Sequence, residues 1–361
     1  MTMGTKHPAW IGPLLAGGAA AATLLLAVAS WGAGPLPPEV EFCLGCHSDR
    51  TLELTLKSGE KRSLFVGGER FRRSVHGDKL RCTDCHSDIE TYPHPERAFK
   101  NLREFTLAYY EGCKGCHFDN YAKTLDSVHY AVLSRQDLRA PLCVDCHGAH
   151  DVARPGAPRS RISKTCARCH QDVYQPYAQS VHGKALLQEE NVDVPVCTDC
   201  HRSHNIEDPR TASFHLKTPE LCASCHTDGK RMRKYGLSTN VLQTYLKDFH
   251  GMTASFYRRE QITPAAFTAV CTDCHGVHDI LSVKDPRSAV MKANLVQVCR
   301  KCHPDATENF PAAWLSHYEP SPTKAPLVYY VKLFYQFFIP FVVFGLVLQV
   351  LLHIWRVVVN R

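Results

Sequence analysis

All 18 cysteines of this 361-residue chain fall in one pentad, Cys-x-x-Cys-His, which occurs nine times. In chain order the copies are Cys43-Leu-Gly-Cys46-His47, Cys82-Thr-Asp-Cys85-His86, Cys113-Lys-Gly-Cys116-His117 and Cys143-Val-Asp-Cys146-His147. Then come Cys166-Ala-Arg-Cys169-His170, Cys197-Thr-Asp-Cys200-His201, Cys222-Ala-Ser-Cys225-His226, Cys271-Thr-Asp-Cys274-His275 and Cys299-Arg-Lys-Cys302-His303. Two thiols spaced by two residues can each add to one vinyl group of the same porphyrin, and the adjacent His then offers an axial imidazole to the iron. This is the pattern of c-type haem attachment, here for nine haems. Zinc ribbons need four ligands and give no reason for a His after every second Cys. A thioredoxin-like pair occurs once beside a βαβ unit, not nine times. Nine disulfides would leave nine histidines unexplained.

Twelve histidines lie outside the pentads. His7 precedes an apolar run near the N-terminus and His353 lies in another near the C-terminus. The other ten interleave with the motifs: His76, His94, His129 and His150 follow motifs one to four, and His182, His204, His250, His278 and His317 follow motifs five to nine, with His215 as a surplus. A single such His is ordinarily a surface or hydrogen-bonded residue. Nine irons in need of sixth ligands make the group an expected set of distal ligands, with His215 a rival to His204 or His250. The set divides by context. After odd motifs the His sits in Ser74-Val75-His76-Gly77, Ser127-Val128-His129, Ser180-Val181-His182-Gly183, Phe249-His250-Gly251 or Ser316-His317. After even motifs it follows closely, as in His147-Gly-Ala-His150, His201-Arg-Ser-His204 and His275-Gly-Val-His278, with His94 eight residues beyond His86. Three residues do not carry the chain over the far face of its own porphyrin without a reversal, so such a His is expected to serve a neighbouring haem.

The same alternation exposes a two-motif repeat, the odd motifs being 70, 53, 56 and 77 residues apart. Three even motifs run on through Pro158-Arg-Ser160, Pro209-Arg-Thr211 and Pro286-Arg-Ser288 toward the next odd one. A linear array of units contacting their neighbours is expected. From Cys43 to His317 there are only about 31 residues per motif, too few for a protein core around nine porphyrins. The haems themselves must be the apolar interior, under short helices and loops. Helical pieces are expected at the motifs and over Leu102–Tyr110, Asp172–Ser180 and Leu237–Phe249. A hairpin is expected from Leu52–Leu56 through Lys57-Ser-Gly-Glu60 to Ser63–Val66.

Residues Pro8–Pro38 carry no charge, and Ala27-Val-Ala29 offers a small-residue cleavage site, so residues 1–34 read as a secretory signal peptide or an N-terminal membrane anchor. Leu333–Ile354 is 22 uncharged residues, enough for one spanning helix, with Tyr329, Tyr330 and Trp355 as interface anchors and Pro340 a site for a kink. Arg356 and Arg361 beyond it favour a cytoplasmic end, with the haem region in the periplasm. Gln336, Gln349 and His353 are costly in lipid unless they face protein, which points to a partner membrane subunit; His353 either touches a quinone or haem there or snorkels. Boundaries are thus expected at 1–34, 35–325 for the nine-haem region and 326–361 for the C-terminal transmembrane helix. The formal charge is +7, but no Lys/Arg block or aromatic-basic module accompanies it, so nucleic acid is not an expected partner.

The Ser-Val-His-Gly segments and Cys-Thr-Asp-Cys-His motifs resemble the multihaem cytochrome c superfamily that includes cytochrome c3/c7-type and doubled-CxxCH proteins. The nine motifs followed by a membrane helix resemble the c-type part of inner-membrane quinol-oxidising cytochrome b/c complexes of metal-reducing bacteria. That resemblance implies a mainly α fold with little regular secondary structure, in which short helices and loops surround stacked haems, with one small β-hairpin and the C-terminal helix. It also implies an electron-transfer subunit between a membrane quinol/cytochrome b partner and periplasmic c-type cytochromes, without catalytic residues of its own. The competing class is a multihaem reductase of nitrite, hydroxylamine or a sulfur oxyanion with one open haem site.

Overall fold

In the computed structural model the described residues are 35–360 except 96, 263–267, 314–316 and 318. The expected signal peptide or anchor at 1–34 lies outside them. About half the chain is helical, mostly in short pieces, and a single two-stranded antiparallel hairpin is present among the described residues.

The two classes of motif occupy opposite ends of helices. Even motifs open one-turn helices at Cys82–Cys85, Cys143–His147, Cys197–His201 and Cys271–His275. Their third residue is always Asp, and its carboxylate accepts the backbone N–H of the residue before the first Cys: Asp84 from Arg81 (2.8 Å), Asp145 from Leu142 (2.6 Å), Asp199 from Val196 (2.7 Å) and Asp273 from Val270 (2.7 Å). A carboxylate there satisfies an N–H otherwise left over and favours the positive end of the helix. Odd motifs lack that Asp. They lie at or just beyond the C-terminal ends of helices Pro38–His47, Glu111–Lys114, Ser160–Cys166, Ala212–His226 and Leu295–Arg300.

Between motifs, short helices meet end to end. Phe118–Leu125 is followed by Val128–Leu133, Gln171–Gln179 by Val181–Gln188, and Val241–Leu246 by Phe249–Arg259. In the last pair the helical piece expected around Leu237–Phe249 is Val241–Leu246; Asp248 beyond it is extended and its carboxylate takes the His250 N–H (2.6 Å), starting the next helix. The hairpin pairs Glu53–Thr55 with Lys61–Ser63, so its second strand starts earlier than Ser63. A tight turn, with Gly59 N–H donating to Leu56 O (2.9 Å) and Leu56 N–H to Glu60 O (2.8 Å), puts Lys61 opposite Thr55 at once.

Buried apolar side chains are few and dispersed for a chain this long. One cluster joins Leu216, Tyr245, Ala254 and Val270, with Leu242 and Tyr257 against it. The residue before an even motif is a recurrent plug: Leu142, Val196 and Val270 are all buried. Tyrosine hydroxyls tie these segments to the helices beside them, Tyr177 to Pro195 O (2.9 Å) and Tyr245 to Ala269 O (3.0 Å).

The last element is a helix of 34 residues, Pro326–Val359, unbroken through Pro340 and exposed along its length. It is about 51 Å long at 1.5 Å per residue. That length and its composition suffice to cross a membrane.

Candidate metal centres

Each motif histidine faces one other histidine ring. His47 faces His94, His86 faces His150, His117 faces His76, His147 faces His204, His170 faces His129, His201 faces His278 and His275 faces His317. The ring centres of these seven pairs are 6.1 Å apart. His226 faces His182 and His303 faces His250, both at 6.3 Å.

The gap is chemically specific. A hydrogen bond between two imidazoles, about 2.9 Å from nitrogen to nitrogen, would put the ring centres about 5 Å apart. A metal bonded at about 2.0 Å on either side puts them about 6 Å apart. Burial also favours the ligating, neutral form at many of these imidazoles. Burial pushes His150 and His182 down to about 4, and lowers His86, His129, His147, His201, His204, His226, His275, His278 and His317. Among the described residues no three His, Cys, Asp or Glu gather into a metal site. Two imidazoles with ring centres about 6 Å apart, one of them next to a Cys-x-x-Cys pair in the chain, are therefore a donor set that suits an iron whose four equatorial positions belong to a porphyrin.

The pairing runs across the repeats. His150, His204 and His278 each lie three residues beyond a motif His yet face the His of the preceding even motif: His86, His147 and His201. Four of the histidines that follow odd motifs serve the odd motif ahead: His76, in a turn, and His129, His182 and His250, at helix starts, face His117, His170, His226 and His303. Backbone hydrogen bonds fasten the two kinds together. Val75, Val128 and Val181 donate to Val152, Ile206 and Ile280 at 2.8, 2.8 and 2.9 Å, so His76 lies beside His150, His129 beside His204, and His182 beside His278.

The motif sulfurs follow chain order in space. Within each repeat the first cysteines are neighbours: Cys43 of Cys82, Cys113 of Cys143, Cys166 of Cys197 and Cys222 of Cys271. Between repeats the second Cys of the even motif lies within electrostatic reach of the next odd motif: Cys85 of Cys113 and Cys116, Cys146 of Cys169, Cys200 of Cys222 and Cys225, Cys274 of Cys299.

Several residues that sequence reasoning passed over position this array. Ser127 and Ser180 cap the distal helices through N–H groups of Tyr130 (3.1 Å) and Gly183 (3.0 Å), while Ser74 takes the His76 N–H (3.2 Å). Leu64 O lies 2.9 Å from His47 Nδ1, which orients that ring. Phe214 stacks on His201 (5.5 Å, 5°) and Tyr109 meets His86 edge-on (4.8 Å). The surplus histidine is placed elsewhere: His215 Nε2 is 2.9 Å from Asp273, the cap of motif eight. Cations hold the other caps too, Arg103 on Asp145 (2.9 Å) and Arg159 on Asp199. Arg159 and His215 each stand seven residues before an odd motif, at Cys166 and Cys222, a signal that was present in the sequence.

Residues 137–227, which hold motifs four to seven, match the cytochrome c3 family. No curated protein matches the chain. The match covers about a quarter of the chain and supports a multihaem c-type cytochrome with covalently bound haem and a role in electron transfer.

Proposed function

We propose that this multihaem cytochrome is a membrane-anchored relay with nine bis-histidine haems, carrying electrons between a quinol-oxidising cytochrome b partner in the bacterial inner membrane and c-type cytochromes of the periplasm. The observation that carries the reading is the set of nine opposed imidazole pairs, each including one motif histidine. Haem iron held by two imidazoles supplies one-electron chemistry with little change of geometry and no vacant position.

The chain's residues provide the rest. Each Cys pair tethers one porphyrin, the motif His holds one face and the partner from a neighbouring unit holds the other. For the imidazoles whose pKa burial lowers, iron competes less with a proton near neutral pH. The contiguous order of the motif sulfurs supports a one-dimensional path, with motif nine leading toward the helix Pro326–Val359. That helix supports anchoring by its length and apolarity.

The test is carbon monoxide binding by the intact, detergent-solubilised protein after its haem content is measured by intact mass. Nine haems and no carbon monoxide adduct on dithionite reduction are expected. An adduct at one haem per chain would reveal an open site and favour the reductase class, and fewer than nine haems would overturn the count.

A further inference from the structure

Resting on the bis-histidine reading, we infer that three of the nine sites, at motifs three, seven and nine, form a distinct electronic class, set by the glycines that follow their distal ligands: Gly77, Gly183 and Gly251. The ring planes are crossed in these three pairs: 50° for His76 and His117, 60° for His182 and His226, 61° for His250 and His303. In the other six the angle is between 9° and 30°.

The four ligands His76, His129, His182 and His250 share a frame, and one exception isolates the cause. Ser74, Ser127, Ser180 and Asp248 each stand two residues before the ligand and donate their N–H to Phe71, Thr124, Tyr177 and Tyr245. After His76, in a turn, and after His182 and His250, at helix starts, comes Gly, and the chain there closes on the preceding turn. A methyl group on Gly77, Gly183 or Gly251 would lie 2.1, 1.9 or 2.0 Å from the carbonyl oxygen of Phe71, Tyr177 or Tyr245, far inside contact distance. After His129 comes Tyr130, whose Cβ cannot enter such a gap. This is the one of the four whose ring stays near parallel to its partner, at 27°. Glycine thus lets the chain seat closely, and the close seat turns the imidazole across its partner.

The consequence is electronic. In low-spin ferric iron the odd electron occupies orbitals that imidazole π-donation raises. Parallel rings raise one of the two and split the pair, whereas crossed rings raise both and leave them nearly degenerate. A crossed site therefore gives a single, strongly anisotropic low-field EPR signal in place of a rhombic one. Gly77, Gly183 and Gly251 are positioning residues, acting on the iron through the ligand they orient.

The experiment is spin-quantified EPR of the fully oxidised, haem-loaded full chain in detergent, with G183A and Y130G beside the unaltered protein. Three haems' worth of strongly anisotropic signal are expected, falling to two in G183A and rising to four in Y130G, which removes a side chain and keeps the inference testable where G183A fails to mature. Nine low-spin rhombic haems would overturn the inference and leave the relay intact, as would an anisotropic share unmoved by Y130G with all haems loaded. A high-spin haem would instead strike the bis-histidine reading itself.

Discussion

His150 stands three residues beyond His147 and faces His86. Three residues do not carry the chain around a porphyrin without a reversal, so local spacing points away from His147 and His150 sharing an iron. Sequence order could therefore show which histidines were candidates, and that each even-motif tail serves a neighbour, but not which neighbour; the answer rests on backbone pairing such as Val75 with Val152. Replacing His150 with Met should raise the potential of one haem, since a thioether ligand favours ferrous iron, and leave the others near their values. Spectroelectrochemical titration of the variant reads this as one resolved component moving upward. Acid sensitivity follows from His150 and His182, which burial holds at about 4 against an ordinary value near 6.5. Between those limits an unfolded chain binds protons that the folded one refuses, so stability is full above pH ~6.5 and falls as pH drops toward ~4. In the haem-loaded protein iron holds the same imidazoles unprotonated, which acts in the same direction as burial, so thermal melts should show the midpoint declining as pH falls below ~6.5.

Helix ends decide where ligands point. The buried Ser180 hydroxyl caps Val181–Gln188 through the Gly183 N–H and donates to Tyr177 O at 2.7 Å. Ser180→Ala removes both bonds and should cost about 1 kcal/mol of stability, as capping losses do, measured by chemical denaturation of the loaded protein. The Asp in the four Cys-x-Asp-Cys motifs was in plain view in the sequence, but its role of reaching back to the N–H before the first Cys depends on the helix beginning at that Cys, which spacing does not reveal. The hairpin was legible as to existence, and only its second strand was displaced, since a tight turn and a looser one fit the same residues. The break at Asp248 shows a capping side chain overriding an uninterrupted run of helix-compatible residues.

Over the whole chain the imidazole pairs would close loops over residues 47–94, 76–117, 86–150, 129–170, 147–204, 182–226, 201–278, 250–303 and 275–317. Each loop overlaps the next, so iron ligation links every unit to its neighbours without a gap. With few buried apolar side chains to hold it otherwise, the chain made without haem attachment should show no cooperative thermal transition by circular dichroism, whereas the loaded chain should melt cooperatively. Truncation before Pro326, with residues 1–34 replaced by a cleavable export signal, should leave a loaded, water-soluble protein, checked by fractionation without detergent. The measurement that tests the account most directly is an experimental structure of the haem-loaded chain at a resolution that shows the axial ligands. The account predicts His86 and His150 on one iron, His147 and His204 on another, and His215 on none. An iron shared by His147 and His150, or one bound by His215, would contradict it.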